Sequence, residues 1–163
     1  LNNPIDISEE RYHWLSANFH IDEFSVSSSH PNLAKEVTFS LTDFYNLKIL
    51  ALECLQPIRK KFGRIFVTSG KRSPELNSAV KGSYASDHLT GSAADIHICN
   101  FSHDHVFKWI LKGSTIPYRQ VILYPESKFI HISSNSPQKE LKHEALVFQN
   151  KSYVTWKDYF KNG

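Results

Sequence analysis

Between Ser40 and Phe62 the apolar residues Phe44, Leu47, Ala51, Cys54, Leu55, Ile58 and Phe62 recur at three- and four-residue steps, the signature of a helix with one buried face. Gly63 supplies a stop signal at the end of this run. Ser40 followed by Asp43 fits an N-cap arrangement, and Pro57 is placed to kink the last turns.

The segments that follow change period. Arg64 to Ser69 reads as a strand rich in β-branched and aromatic residues, closed by Gly70. Ser73-Pro74-Glu75 starts a short helix, a cap hydroxyl followed by a proline where no amide partner is needed. Ala93 to Cys99 reads as a second strand, and Ser102 to Lys112 as a helix ended by Gly113. Arg119 to Tyr124 and Lys128 to Ser133 read as two further strands, and Ala145 to Gln149 with Tyr153 to Trp156 as a final hairpin around Asn150-Lys151. This succession predicts a single α+β domain with a central, mostly antiparallel sheet and flanking helices.

A length of 163 residues suits one domain with a real core, and 40% hydrophobic with 13% aromatic content excludes a disordered or fibrous chain. The 19 basic and 16 acidic residues are dispersed, so nucleic acid is not an expected partner. No apolar stretch approaches the roughly 18 residues of a membrane span. Cys54 and Cys99 sit in no C-x-x-C pattern and are expected to be two buried thiols. The start Leu1-Asn2-Asn3-Pro4 lacks the basic and apolar regions of a signal peptide, and the chain contains no methionine. A leader or neighbouring domain is therefore expected to have been removed. No coiled-coil repeat occurs, and a monomer is expected.

Three polar residues stand out for chemistry: His88 just before Gly91, Asp95 at the beginning of a strand, and His131 inside the apolar run Phe129-Ile130-His131-Ile132. Two imidazoles and a carboxylate suit zinc, and three protein ligands leave a fourth position for water or substrate. By themselves the three residues leave a second reading open, with His131 a hydrogen-bonded core histidine and Asp95 a turn cap. His97 points to the same strand face as Asp95. Thr68 and Ser69 have no histidine or acid paired with them in the local sequence, which argues against a serine mechanism.

The segment Ser86-Asp87-His88-Leu89-Thr90-Gly91-Ser92-Ala93-Ala94-Asp95 resembles the S-x-H-x-x-G-x-A-x-D motif of the zinc D-Ala-D-Ala carboxypeptidase family, whose fold is shared with hedgehog signalling domains. Val67 to Asn77 is similar to that family's V-T-S-G-Y-R-S-P-x-L-N segment, and Phe129-Ile130-His131-Ile132-Ser133 to its W-V-H-V-S strand. The likeness runs from about residue 19 to 156, which implies an N-terminal extension over 1–18, a peptidase domain over 19–156 and a C-terminal tail over 157–163.

The resemblance implies one zinc ion held by His88, Asp95 and His131, and an arginine, Arg72, that holds a substrate carboxylate. It implies hydrolysis of peptide bonds in bacterial peptidoglycan stem peptides, in the periplasm or outside the cell, by a bacterial or bacteriophage product. A zinc-containing binding module of the same fold, weak or inactive in catalysis, is the alternative. Where relatives read Q-L-I-Y-E, this chain has Gln120-Val121-Ile122-Leu123-Tyr124, so tyrosine stands at the acid's place. Glu126, two residues on, is then the expected general base beside Arg72. Ser86, Arg72 and His97 are the expected substrate-binding residues, with Ser86 orienting the ligand loop through its hydroxyl. Lys128, three before His131 where some relatives carry an acid, is expected to point away, and Lys71 replaces the usual aromatic beside Arg72.

Overall fold

The computed structural model describes residues 2–136, 139 and 142–161. A small antiparallel hairpin opens the chain, β1 (Trp14–Ser16) against β2 (Phe19–His20), followed by the short helix α1 (Pro31–Lys35). Leu15 and Phe19 are wholly buried, so the residues on both sides of this turn share the main core.

The expected helix from Ser40 to Phe62 is one continuous rod wound in two ways. It comprises α2 (Leu41–Ile49), a π-helical stretch over Leu50–Leu55, and α3 (Gln56–Phe62). Ser40 Oγ accepts from Asp43 N at 3.1 Å while Asp43 Oδ2 accepts from Ser40 N at 2.9 Å, a reciprocal cap. Proline lacks an N–H, and its ring crowds the carbonyl four residues back. The wider turns just ahead of Pro57 give that ring room, so the expected kink takes the form of a π segment. Gly63, at φ 81, then reverses the chain.

The remaining elements are β3 (Ile65–Ser69), α4 (Pro74–Ala79), β4 (Ala93–Ile98), α5 (His103–Lys112), β5 (Tyr118–Tyr124), β6 (Phe129–Ser134), β7 (Glu144–Gln149), β8 (Ser152–Thr155) and α6 (Trp156–Lys161). Six strands form one sheet in the order β3-β4-β6-β5-β7-β8. Every neighbouring pair is antiparallel except β5 with β7, which run parallel. The α+β expectation therefore holds, with a mixed, mostly antiparallel sheet. Asn150 and Lys151, at φ 50 and 61, make the tight β7–β8 turn, and Trp156, expected to finish the last strand, begins α6.

Register decides which side of the sheet carries chemistry. Ile96, Ile130, Leu123, Val147 and Val154 pair across five strands, and Ala94, Ile132, Val121 and Ala145 do so two residues along. These rows are apolar and belong to the core packed with the helical rod and α5. Each fully buried Leu, Ile, Val or Phe contributes roughly 1.5–3 kcal/mol of transfer free energy. The alternate residues face the other way: Ser69, Asp95, His131, Ile122, Leu146 and Thr155 form one row. Two residues along lie His97, Phe129, Tyr124, Phe148 and Tyr153. Tyr124 stacks on Phe129 with ring centres 4.3 Å apart, and Phe148 meets Tyr124 at 5.3 Å and Tyr153 at 4.8 Å.

The two thiols differ from expectation. Cys54 is buried, which pushes its pKa up to about 12, but Cys99 is exposed because it falls just past the end of β4.

Candidate metal centre

Asp95 and His131 are cross-strand partners at the centre of the sheet, so the backbone ladder alone sets them side by side on the open face. His88 arrives from a separate loop, a 3-10 turn over Asp87–Thr90. That loop is held from three directions. Ser86 Oγ accepts from His88 N at 3.3 Å, Asn46 Nδ2 donates to Thr90 O at 2.8 Å, and Lys71 Nζ donates to Leu89 O at 2.8 Å. Gly91 closes the turn at φ 68, a left-handed conformation that any side chain would strain, with Asp43 O only 3.0 Å from where a Cβ would stand.

The result is a cluster in which His131 Nδ1 lies 2.9 Å, and His88 Nε2 3.2 Å, from Asp95 Oδ1, with the two nitrogens 3.2 Å apart. The three residues are 1–9% exposed, and their donor atoms all lie within 4.8 Å of one another. Gly70 O can only accept, so its 2.7 Å contact fixes the proton of His88 on Nδ1. Burial lowers the His88 pKa more than Asp95 raises it, so the ring is neutral near pH 7 and Nε2 carries a lone pair. That lone pair faces a carboxylate oxygen, a repulsive arrangement that a cation between them turns attractive. Burial alone would raise the Asp95 carboxyl, but in acid, where the His88 ring takes up its proton, that charge and the His131 hydrogen bond outweigh burial and hold the group well below the usual carboxylate range. A neutral imidazole and an ionised carboxylate are ligand forms a divalent metal takes.

Support comes from around the cluster. Arg72 Nη2 donates to Asp95 Oδ2 at 3.0 Å, and its Nε and Nη2 both reach Ser69 Oγ, at 3.2 and 3.1 Å. Asp87, next to His88 but turned away from the cluster, is buried between Arg119, at 2.8 Å, and Lys139. Its carboxyl is lowered although burial opposes this, because Lys139, Ser133 and Arg119 all favour the charged form. Lys71, where relatives carry an aromatic, points inward to Asp43 at 3.5 Å and to backbone carbonyls.

The cluster forms the floor of an open cleft of about 1240 Å³. Of the residues expected at the site, Arg72, Ser86, His88, Asp95, His97 and His131 line this cleft together. His97 Nδ1 donates to Lys128 O at 3.1 Å, leaving Nε2 as the acceptor of the neutral ring. Glu126 is the departure. It is exposed in the β5–β6 turn, lies outside the cleft lining, and accepts from Asn150 N at 3.2 Å. The turn that begins at Pro125 directs it to the neighbouring β7–β8 turn instead of the His88, Asp95 and His131 cluster. Lys128, expected to point away, lines the cleft, as does Tyr124 at the acid's place. Burial and the 3.3 Å contact with Tyr153 Oη raise the Tyr124 pKa, so its phenol stays protonated. Nothing in the sequence announces the Gly70 carbonyl or the Asp87 cluster, since neither a backbone acceptor nor a long-range ion pair leaves a local signal.

Acid should expose this electrostatic design. His88 titrates below its usual value near 6.5 and Asp95 well below 3.8 in the folded chain, so the unfolded chain takes up more protons on acidification. Stability from His88 is complete above about pH 6.5 and that from Asp95 above about pH 4, and each is lost as pH falls toward the folded-state value. Urea unfolding with a chelator present, at pH 8, 6 and 4.5, is expected to show stability falling at each step. A rise between pH 8 and 6 would contradict the neutral assignment of His88.

Two imidazoles and one carboxylate, with no fourth protein donor among the described residues and an open cleft above them, form a candidate metal site with the three-ligand, open arrangement that catalytic sites keep. The sequence profile of Peptidase M15 matches residues 17–133, about seven-tenths of the chain. The chain belongs to the Peptidase M15 family, and is thus one of the metallopeptidases. No curated protein matches it.

Proposed function

We propose that the protein is a zinc-dependent peptidase that hydrolyses peptide bonds in bacterial peptidoglycan stem peptides, with one zinc ion held by His88, Asp95 and His131. The observation that carries this reading is the convergence of three metal-ligand atoms within 4.8 Å at the floor of an open cleft. Zinc bound there supplies Lewis acidity, polarising a carbonyl and lowering the pKa of a water to about 7. Arg72 fixes the second oxygen of Asp95 and carries the guanidinium charge that a substrate carboxylate needs. Ser86 sets the His88 loop, and His97 offers an acceptor to a substrate N–H. Tyr124 offers a phenolic proton beside the same row. The proposed place of action is the cell wall, reached from the periplasm or from outside.

The test is incubation of the zinc-loaded protein with stem peptides ending in D-Ala-D-Ala and with L-Ala-D-Glu cross-linked fragments, reading new termini by mass spectrometry. Metal-dependent cleavage of at least one is expected. No cleavage of any, with zinc confirmed bound, counts heavily against an enzyme. Glu126→Gln is expected to change turnover by no more than about twofold, because the carboxylate engages Asn150 N. A general base contributes about 10²- to 10⁴-fold, so a loss of that size would restore Glu126 to the role.

One observation favours a second reading. Among the described residues the only carboxylates lining the cleft are Asp87 and Asp95, and both are already ion-paired. A zinc-containing module that binds stem peptides with little turnover is consistent with that. It predicts that a protein inactive in the assay above still sediments with peptidoglycan.

A further inference from the structure

Positive side chains gather along the cleft. Among the described residues, Arg72, Lys81, Arg119, Lys128, Lys139 and Lys142 line it against two carboxylates, Asp87 and Asp95, a surplus of four. Both cleft carboxylates are already taken, Asp95 by Arg72 and Asp87 by Arg119 and Lys139. Among the described residues no ion pair holds Lys81, Lys128 or Lys142. All three are exposed on the rim of the cleft whose floor is His88, Asp95 and His131.

Two of these lysines occupy backbone positions that lysine fits poorly. Lys81 ends α4 at φ 55, where Gly82 N reaches back to Asn77 O at 2.8 Å, and Lys128 closes the β5–β6 turn, also at φ 55. Left-handed sites of this sort favour glycine or asparagine, and a longer side chain there costs stability. Backbone strain held beside a functional cleft is a reason to ask what the side chain does. Lys151 shares the conformation, at φ 61, but lies in the β7–β8 turn outside the cleft lining, and so serves as a control.

We propose that Lys81, Lys128 and Lys142 form an anion-recognising rim that makes the cleft select peptides with free carboxylates over the same peptides carrying carboxamides. The inference rests on the reading that the cleft receives a stem peptide, and it names which chemical form of that peptide is taken. Converging like charges along a cleft concentrate an anionic ligand, and the attraction weakens with salt. Each solvated contact is worth only a few-fold, so three acting on two carboxylates yield about a tenfold preference.

The experiment uses two synthetic stem peptides of identical sequence, one with the glutamate and diamino-acid carboxylates free and one with both amidated. The kcat/KM ratio of acid to amide is expected to be about tenfold at low salt and to shrink toward one at about 0.5 M salt. Lys81→Asn, Lys128→Asn and Lys142→Gln combined are expected to bring the low-salt ratio near one. Zinc content should remain one per chain, and the melting temperature should not fall, since asparagine tolerates the left-handed sites. Lys151→Asn should leave the ratio as it was. A wild-type ratio near one, or a tenfold ratio that survives the triple substitution, overturns the proposal. Direct binding of both peptides to the zinc-loaded protein, followed by fluorescence anisotropy, separates this from a failure of the peptidase reading. If neither peptide is cleaved, a tenfold tighter binding of the acid that the triple variant loses still upholds the rim, and equal binding removes it.

Discussion

Replacing Asp95 by alanine is expected to abolish zinc binding and, with a chelator present, to lower the melting temperature by roughly 10 °C. The carboxylate does two jobs with its two oxygens. Oδ1 is the common neighbour of His88 Nε2 and His131 Nδ1, and Oδ2 accepts from Arg72 Nη2 at 3.0 Å. Loss of Oδ1 removes one of three ligands, and even residues that merely orient ligands change metal affinity about 10- to 100-fold, so a larger loss is expected here. Loss of Oδ2 strands a guanidinium whose side chain is only 11% exposed. Removing one partner of a buried ion pair costs about 3–5 kcal/mol, which in a domain of this size corresponds to the stated shift. The measurements are zinc content by elemental analysis and thermal unfolding of the metal-free form. Asp95→Ala that still carries one zinc per chain would refute the ligand assignment, whereas full thermal stability would refute the Arg72 pairing alone.

Gly70→Ala is expected to damage the site without touching any ligand. An alanine Cβ would stand 2.2 Å from Phe24 O and 2.5 Å from Phe24 Cα, both backbone atoms that cannot rotate away. Either the Gly70 loop or the segment carrying Phe24 must move, at a cost of about 1–3 kcal/mol or more. The displaced group is the carbonyl that holds His88 Nδ1 at 2.7 Å. Its loss frees the ring to change tautomer and orientation, so zinc affinity should fall about 10- to 100-fold. Competition with a chromophoric chelator reads the affinity, and urea unfolding reads the stability. A destabilised variant with unchanged affinity would show that the carbonyl does not orient the ring.

The parts of this design that sequence revealed are those governed by local pattern. Strand alternation places Asp95 and His131 on a polar face, and the reciprocal Ser40–Asp43 cap and the Asn150-Lys151 turn follow from side chains near in sequence. The family match over 17–133 agrees with the resemblance read from the segments around Arg72, His88 and His131. The direction of Glu126 was not legible because a turn residue's direction depends on distant chain, here Asn150 on another hairpin. Lys128 likewise turns on its left-handed φ, which no spacing rule anticipates for lysine. The π-helical stretch before Pro57 shows the same limit, since a kink is foreseeable but the way the backbone absorbs it depends on packing. The parallel pairing of β5 with β7 requires knowing where the chain returns after β6.

The order of strands separates two kinds of change that such a protein could undergo. Asp95 and His131 sit on adjacent inner strands, whereas Phe148 and Tyr153 belong to β7 and β8 at one margin, beyond residue 133 where the family match ends. Exchange of that marginal hairpin for one of different length or aromatic content would remodel the wall that meets the ligand, yet leave the inner ladder intact. Diversification among chains of this architecture is therefore expected to accumulate at the outer hairpin, with the strands that carry Asp95 and His131 held nearly fixed.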